Sequence, residues 1–313
     1  MKVADMHCDT ISELYKNRIK GMEGTILENG LMVDLKKMAA GDYLLQNFAV
    51  FINLAETQTP LQDALEMIDL FYSEMDAHHD IIRPVRCFAD IEKNQSDGVM
   101  SALLTGEEGQ ITLGKTEFLH ILYRLGMRMM TLTWNHENSL GYPNKREQGL
   151  KEQGICFLEE MEHLGMIIDV SHLSDAGFYD VLAHTKKPFV ASHSNARSLC
   201  TAPRNLADDM IRKLAKRGGI AGINFCQHFL GAPDANETYL DLAVQHMKYM
   251  INLGGEDFVA LGSDFDGIDR YADIPDCSIM PKLVQKMKKA GLTPTQIEKI
   301  CYQNTLRIYR ELL

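Results

Sequence analysis

The sequence predicts an α/β fold, a (β/α)8 TIM-type barrel, on three observations. Eight apolar runs of strand length recur along the 313 residues. Most are continuous rather than alternating, as parallel strands covered on both faces require. Stretches of helical periodicity lie between them, which is the alternation of a barrel. The runs cover residues 3–9, 47–54, 99–107, 128–134, 166–172, 188–193, 220–225 and 258–264.

The helical stretches cover residues 59–79, 116–125, 147–164, 174–184, 207–217 and 237–253. A last one, 293–313, begins at Thr293-Pro294, where proline's fixed φ suits a first helical turn. Gly165, Gly218-Gly219 and Gly254-Gly255 stand at helix ends, where a left-handed residue turns the chain back into a strand. Three connections are longer or more polar: 10–45, 135–150 and 266–277. Each follows a strand C-terminus, so each should border the mouth, where barrels keep their active sites. No repeat, low-complexity segment or linker interrupts the chain, and 1–313 reads as a single barrel domain.

Composition narrows the function classes. With 45% hydrophobic residues the chain can bury a full core, and a net charge of −11 argues against nucleic acid or an anionic membrane surface as a partner. The seven cysteines are dispersed without a C-x-x-C pair, which fits reduced thiols in a cytoplasm. No basic segment leads into an apolar stretch at the N-terminus, and nowhere do eighteen apolar residues run together. A cytoplasmic location is expected.

Several strand-like runs end in residues suited to metals. His7-x-Asp9 ends the first run, and residues two apart on a strand point the same way. Glu107 follows the third, flanked by Gly106 and with Glu108 as its rival. A carboxylate has two oxygens and can bridge two cations. His172 and His193 end consecutive runs, each after a serine, and neutral imidazole is the ordinary zinc ligand. Asp264, with Asp266 as its competitor, ends the eighth run, where a carboxylate could hold the proton lost by a metal-bound water. Three imidazoles and three carboxylates at one end of parallel strands suit a barrel of the metal-dependent hydrolase kind.

Taken in order, H-C-D, G-E-E-G, L-G-M-R before T-L-T, D-V-S-H-L-S, S-H-S-N, A-P-R-N and G-S-D-F-D-G resemble the motifs of the membrane (renal) dipeptidase family of zinc dipeptidases, from residue 3 to the C-terminus. The resemblance implies two Zn2+ per chain. One would be held by His7, Asp9 and Glu107, the other by Glu107, His172 and His193, with Glu107 bridging. It implies that Arg204 receives the substrate carboxylate and that Asp264 is the acid–base aspartate. The family's substrate-contacting histidine directly follows T-L-T, and here that position is Trp134. His136 is taken as the substrate-binding replacement, with Asn135 as the other candidate. A homodimer is suggested by the resemblance alone.

The implied reaction is hydrolysis of a dipeptide, D-residues at the C-terminal position included, by a hydroxide that bridges the two metals. Two cations lower the pKa of a shared water from ~15.7 towards ~7. Paired hydrogen bonds from Arg204 would favour substrates with one residue after the scissile bond. The competing expectation is another binuclear-metal amidohydrolase acting on a cyclic amide or ester, which the ligand set alone does not exclude.

Overall fold

The computed structural model describes residues 1–22 and 24–313. Nine strands run in chain order: β1 (Val3–Asp5), β2 (Tyr43–Phe51), β3 (Ile82–Val85), β4 (Met100–Glu107), β5 (Met129–Thr131), β6 (Ile167–Asp169), β7 (Val190–Ala191), β8 (Ile220–Ile223) and β9 (Val259–Leu261). Every ladder between them is parallel. The order is β2-β1-β9-β8-β7-β6-β5-β4, and pairing of β2 with β4 closes the ring into an eight-stranded barrel. These eight strands coincide with the eight apolar runs. β3 is extra: it pairs with Met100–Leu103 of β4, below the point where β5 takes over that edge at Thr105.

Interior packing is layered, as a filled barrel demands. Ala4, Leu45, Leu103, Met129, Ile167, Val190, Ile220 and Ala260, one from each barrel strand, pack into one cluster with Ile308 and Tyr309 from the last helix (Asn304–Leu312). Tyr309 is fully buried, and Asn47 Nδ2 of β2 donates to its hydroxyl at 2.7 Å. The polar Asn47 is therefore satisfied inside an apolar floor, as a buried amide must be. Losing a buried aromatic ring of this size costs about 3–5 kcal/mol. A second, larger cluster fills the layer between strands and helices.

Several boundaries differ from the sequence expectation. β2 starts at Tyr43, four residues before its predicted start, because Gln46 and Asn47 break the apolar run while remaining buried. The first long connection holds two helices, Thr10–Ile19 and Leu35–Ala40, and Phe88–Asp97 and Met280–Lys289 are helices too. The helix expected from residue 147 begins at Glu152, since Leu150 pairs back on Gly141 and donates its N–H to Asp180 Oδ2 at 2.7 Å. The closing stretch is interrupted by a π-turn at Lys299–Gln303. Gly165, Gly218 and Gly255 do adopt positive φ (77°, 83° and 86°) at their helix ends. Among the described residues no helix is long and apolar enough to cross a membrane.

Candidate metal centre

His7, Asp9, Glu107, His172, His193 and Asp264 converge at the C-terminal end of the strands, each at most 9% exposed. His7 Nε2 lies 3.3 Å from Glu107 Oε2, 3.6 Å from Asp264 Oδ1 and 3.8 Å from Asp9 Oδ2. The other Glu107 oxygen, Oε1, lies 3.0 Å from His172 Nε2 and 3.5 Å from His193 Nε2. Glu107 thus turns one oxygen to each half of the cluster. Two triads keep their ligand atoms within 4.8 Å of one another, His7–Glu107–His193 and His7–Asp9–Asp264. Strand alternation is not what aligns His7 with Asp9. β1 ends at Asp5, and Asp9 stands at the N-cap of helix Thr10–Ile19.

The donor set fits divalent cations. His172 Nδ1 faces Asn135 Oδ1 at 3.0 Å, and His193 Nδ1 faces Ser192 Oγ at 2.6 Å. Ser192 Oγ has one proton, which it donates to Asp169 Oδ2 at 2.5 Å, so His193 Nδ1 must be the donor to it. Both rings therefore carry their proton outward, and their Nε2 lone pairs face each other at 3.0 Å. Burial, followed by the nearby cationic groups Arg204 and His7, holds both imidazoles well below their usual pKa. Neither ring then has an inward proton for the other, and a cation is what resolves two opposed lone pairs. On the other half, His7 Nε2 and Asp9 Oδ1 are buried without a hydrogen-bond partner.

Charge crowding acts in the same sense. Burial raises Glu107, with Asp9 and Asp264 adding to the rise and His7 opposing it. Burial also raises Asp264, Asp9 adds to it, and His7, Asn224 and Arg204 pull the other way. Burial by itself would lower His7, but Glu107 and Asp9 outweigh it and hold that ring well above the ordinary imidazole range. A Cβ on Gly267 would lie 2.1 Å from Asp9 Oδ2 and 2.6 Å from Asp264 Oδ1, so only glycine leaves room for both carboxylates.

The rivals are engaged elsewhere. Glu108 accepts from the N–H groups of Gln110 (2.8 Å) and Trp134 (3.0 Å) and from Asn138 Nδ2, which fixes the loop after β5. Asp266 accepts from Thr10 Oγ1 at 2.7 Å and from the backbone N–H groups of Met32 and Val33, which pins the first connection to the mouth. His172, Asp264 and Asp266 all hold positive φ, at 68°, 65° and 69°. Non-glycine residues there cost on the order of 1–3 kcal/mol each, a concentration of strain usual at functional sites.

Above the cluster opens a cavity of about 240 Å³ lined by Asp9, Glu13, Lys16, Phe51, Glu107, Trp134, Asn135, His172, Cys226, Phe229, Asp264, Asp266, Gly267 and Ile268. A neighbouring cavity of about 380 Å³ contains Arg204 and shares Asn135 and Phe229 with the first. Arg204 is buried, donates from Nη1 to Ser194 Oγ and from Nη2 to His193 O (both 3.2 Å), and leaves Nε without a partner. No carboxylate pairs with it among the described residues. His136 lines neither cavity; its ring sits 5.7 Å from that of Trp134. Trp134 and Asn135 do line the site. Asn224, which donates to Asp264 Oδ2 at 2.8 Å, and the Asp169–Ser192 pair went unseen in the sequence, where no spacing distinguishes them.

The sequence profile of the membrane dipeptidase family, peptidase family M19, matches residues 1–312. An uncharacterised dipeptidase of Schizosaccharomyces pombe is 31% identical, the alignment covering 99% of this chain and 80% of the relative. A dipeptidase of Aspergillus oryzae is 30% identical over 88% of this chain and 69% of its own length. The crystal structure of the dipeptidase AC, a family M19 metallopeptidase, superposes with a TM-score of 0.91 at 25% identity, covering 100% of this chain and 98% of that one. A metallopeptidase from Rhodobacter sphaeroides, liganded with a phosphinate mimic of L-Ala-D-Ala, shares the fold with a TM-score of 0.92 at 24% identity, covering 100% of this chain and 99% of that one.

Proposed function

The chain belongs to the membrane dipeptidase family, peptidase family M19, whose members are metallo-dipeptidases, and on that footing we propose a two-zinc dipeptidase that hydrolyses small dipeptides, those with a C-terminal D-residue included. One observation carries this reading furthest: a buried, carboxylate-free guanidinium, Arg204, stands beside inward-facing imidazoles and carboxylates. His7, Asp9 and Glu107 would hold one ion, and Glu107, His172 and His193 the other. When bound, the ions would acidify a water and polarise the scissile carbonyl.

The chain's own residues supply the rest. Arg204 offers its unpartnered Nε and fork to the free α-carboxylate, which places the scissile bond one residue away, over the cluster. The carboxylates of the first cavity receive the α-amino group. Asp264, its pKa raised by burial and its Oδ2 steadied by Asn224, takes a proton from the attacking water and passes it to the leaving amine. From the loop after β5, Asn135 and Trp134 are better placed than His136 to touch the substrate. The seven free thiols support a reducing compartment such as the cytoplasm.

The test is release of alanine from L-Ala-D-Ala and L-Ala-L-Ala by zinc-loaded protein and by a chelator-treated control. Metal-dependent release from either is expected, and the ratio sets the stereochemical preference. No release from either by protein carrying two zinc ions would overturn the proposal.

A further inference from the structure

The two cavities at the barrel mouth carry opposite charge. The first is lined by five carboxylates, Asp9, Glu13, Glu107, Asp264 and Asp266, and its one lysine, Lys16, is already paired with Glu13 at 2.7 Å. The second contains no carboxylate at all, while Arg204, Lys145 and His228 line it. The Lys145 ammonium and the His228 ring have no hydrogen-bond or ion-pair partner among the described residues. Lys145 is held at φ 68°, between Asn144, whose N–H bonds His172 O, and Arg146, whose N–H bonds Pro143 O. Its backbone is therefore anchored while its charge stays free. Asn135 and Phe229 line both cavities and so mark the border between them.

A dipeptide bound across that border has its direction set by charge. Its ammonium group belongs among the carboxylates and its α-carboxylate against Arg204, which puts the C-terminal residue in the second cavity. At about 380 Å³ that cavity has room for a side chain beyond the α-carboxylate. Lys145 and His228, both unpaired, line that cavity and no carboxylate does, although Lys145 also borders a third cavity that contains Glu147 and Asp175. We propose that this enzyme selects dipeptides whose C-terminal residue bears an acidic side chain, aspartate or glutamate, read by Lys145 and His228. The inference rests on the assignment of Arg204 to the α-carboxylate.

The experiment compares kcat/KM of the zinc-loaded native enzyme for Ala-Ala, Ala-Glu, Ala-Asp and Ala-Lys, each with the C-terminal residue in L and D form. A preference for Ala-Glu or Ala-Asp over Ala-Ala of about tenfold or more is expected, the size of a hydrogen bond to a charged group. Ala-Lys should be the poorest of the series. Free glutamate should also inhibit competitively at lower concentration than free alanine. In Lys145→Glu the Glu-to-Lys ratio should reverse, and in Lys145→Ala the Glu-to-Ala ratio should fall towards one. Turnover of Ala-Ala equal to or faster than that of the acidic dipeptides would overturn this inference and leave the dipeptidase proposal standing. Failure of every dipeptide would overturn both.

Discussion

Around His172 and His193 each outward ring nitrogen is engaged, by Asn135 on one ring and by Ser192, itself bonded to Asp169, on the other. Around His7 and Asp9 the inner atoms are buried without partners, and carboxylates crowd in from Glu107 and Asp264. The imidazole half has both rings fixed from outside by hydrogen bonds, with two lone pairs already aimed at the place a cation would take. The carboxylate half is a set of like charges whose repulsion only positive charge relieves. One site thus joins a preorganised half to a half that depends on its ligand, and Glu107 links them.

Removing the link should have the largest effect. Glu107→Gln should lower turnover by roughly three orders of magnitude, about 4 kcal/mol in the barrier, and zinc analysis should show metal lost from both halves. Full metal content with full activity would show the halves to be independent.

The metal-free protein should reveal the strained half through pH. Above pH ~7.5, about a unit past the ordinary imidazole pKa, the imidazoles whose pKa is depressed are almost wholly neutral in folded and unfolded chains alike, so they drop out. Glu107, raised to about 8, and His7, also raised, still keep protons in the folded state that the unfolded state has released. More protons on the folded side means that stability falls as pH rises. Thermal unfolding of chelator-treated protein should therefore move to lower temperature as pH rises from ~7.5 through about 8, and zinc should abolish the trend. A metal-free melting temperature that climbs across that window would contradict the account of the carboxylate half.

A smaller effect should sharpen the other half. Ser192→Ala leaves His193 Nδ1 without its acceptor, and loss of such an outer partner weakens metal binding by about 10–100-fold. Chelator competition should show one binding step weakened, with Ser192→Thr restoring it by returning the hydroxyl. Equal weakening of both steps would erase the distinction between the halves. Smallest of all, His136→Ala should change kcat/KM by no more than about twofold, as befits a side chain outside both cavities.

What could be read in the sequence follows from this physics. Barrel strands are covered on both faces, so eight of nine appear as apolar runs, whereas β3, Ile-Arg-Pro-Val, is only half buried and carries a proline and an arginine. Metal-type residues at strand ends were equally visible, because few other positions gather histidines and carboxylates. The choice of Glu107 over Glu108 and of Asp264 over Asp266 came from the family resemblance and not from spacing, since each pair differs only in which backbone N–H groups claim the second carboxylate. Gly267 escaped notice because its importance lies in two carboxylates remote from it in sequence or across a tight turn. Asp169 and Ser192 read as ordinary strand-end polar residues until their hydrogen bonds place them behind His193.

The hydrogen bond between Asn47 and Tyr309 spans 262 residues. A ribosome making this chain releases β1 and β2 long before the tyrosine that fills the space beneath them. Until then the nascent barrel has no floor, and its N-terminal strands wait with apolar faces open, a state that invites chaperones and aggregation. Sealing by Tyr309 makes completion of the barrel a late event, so the metal-type residues of the mouth should reach their final spacing only after the helix that carries this tyrosine has docked.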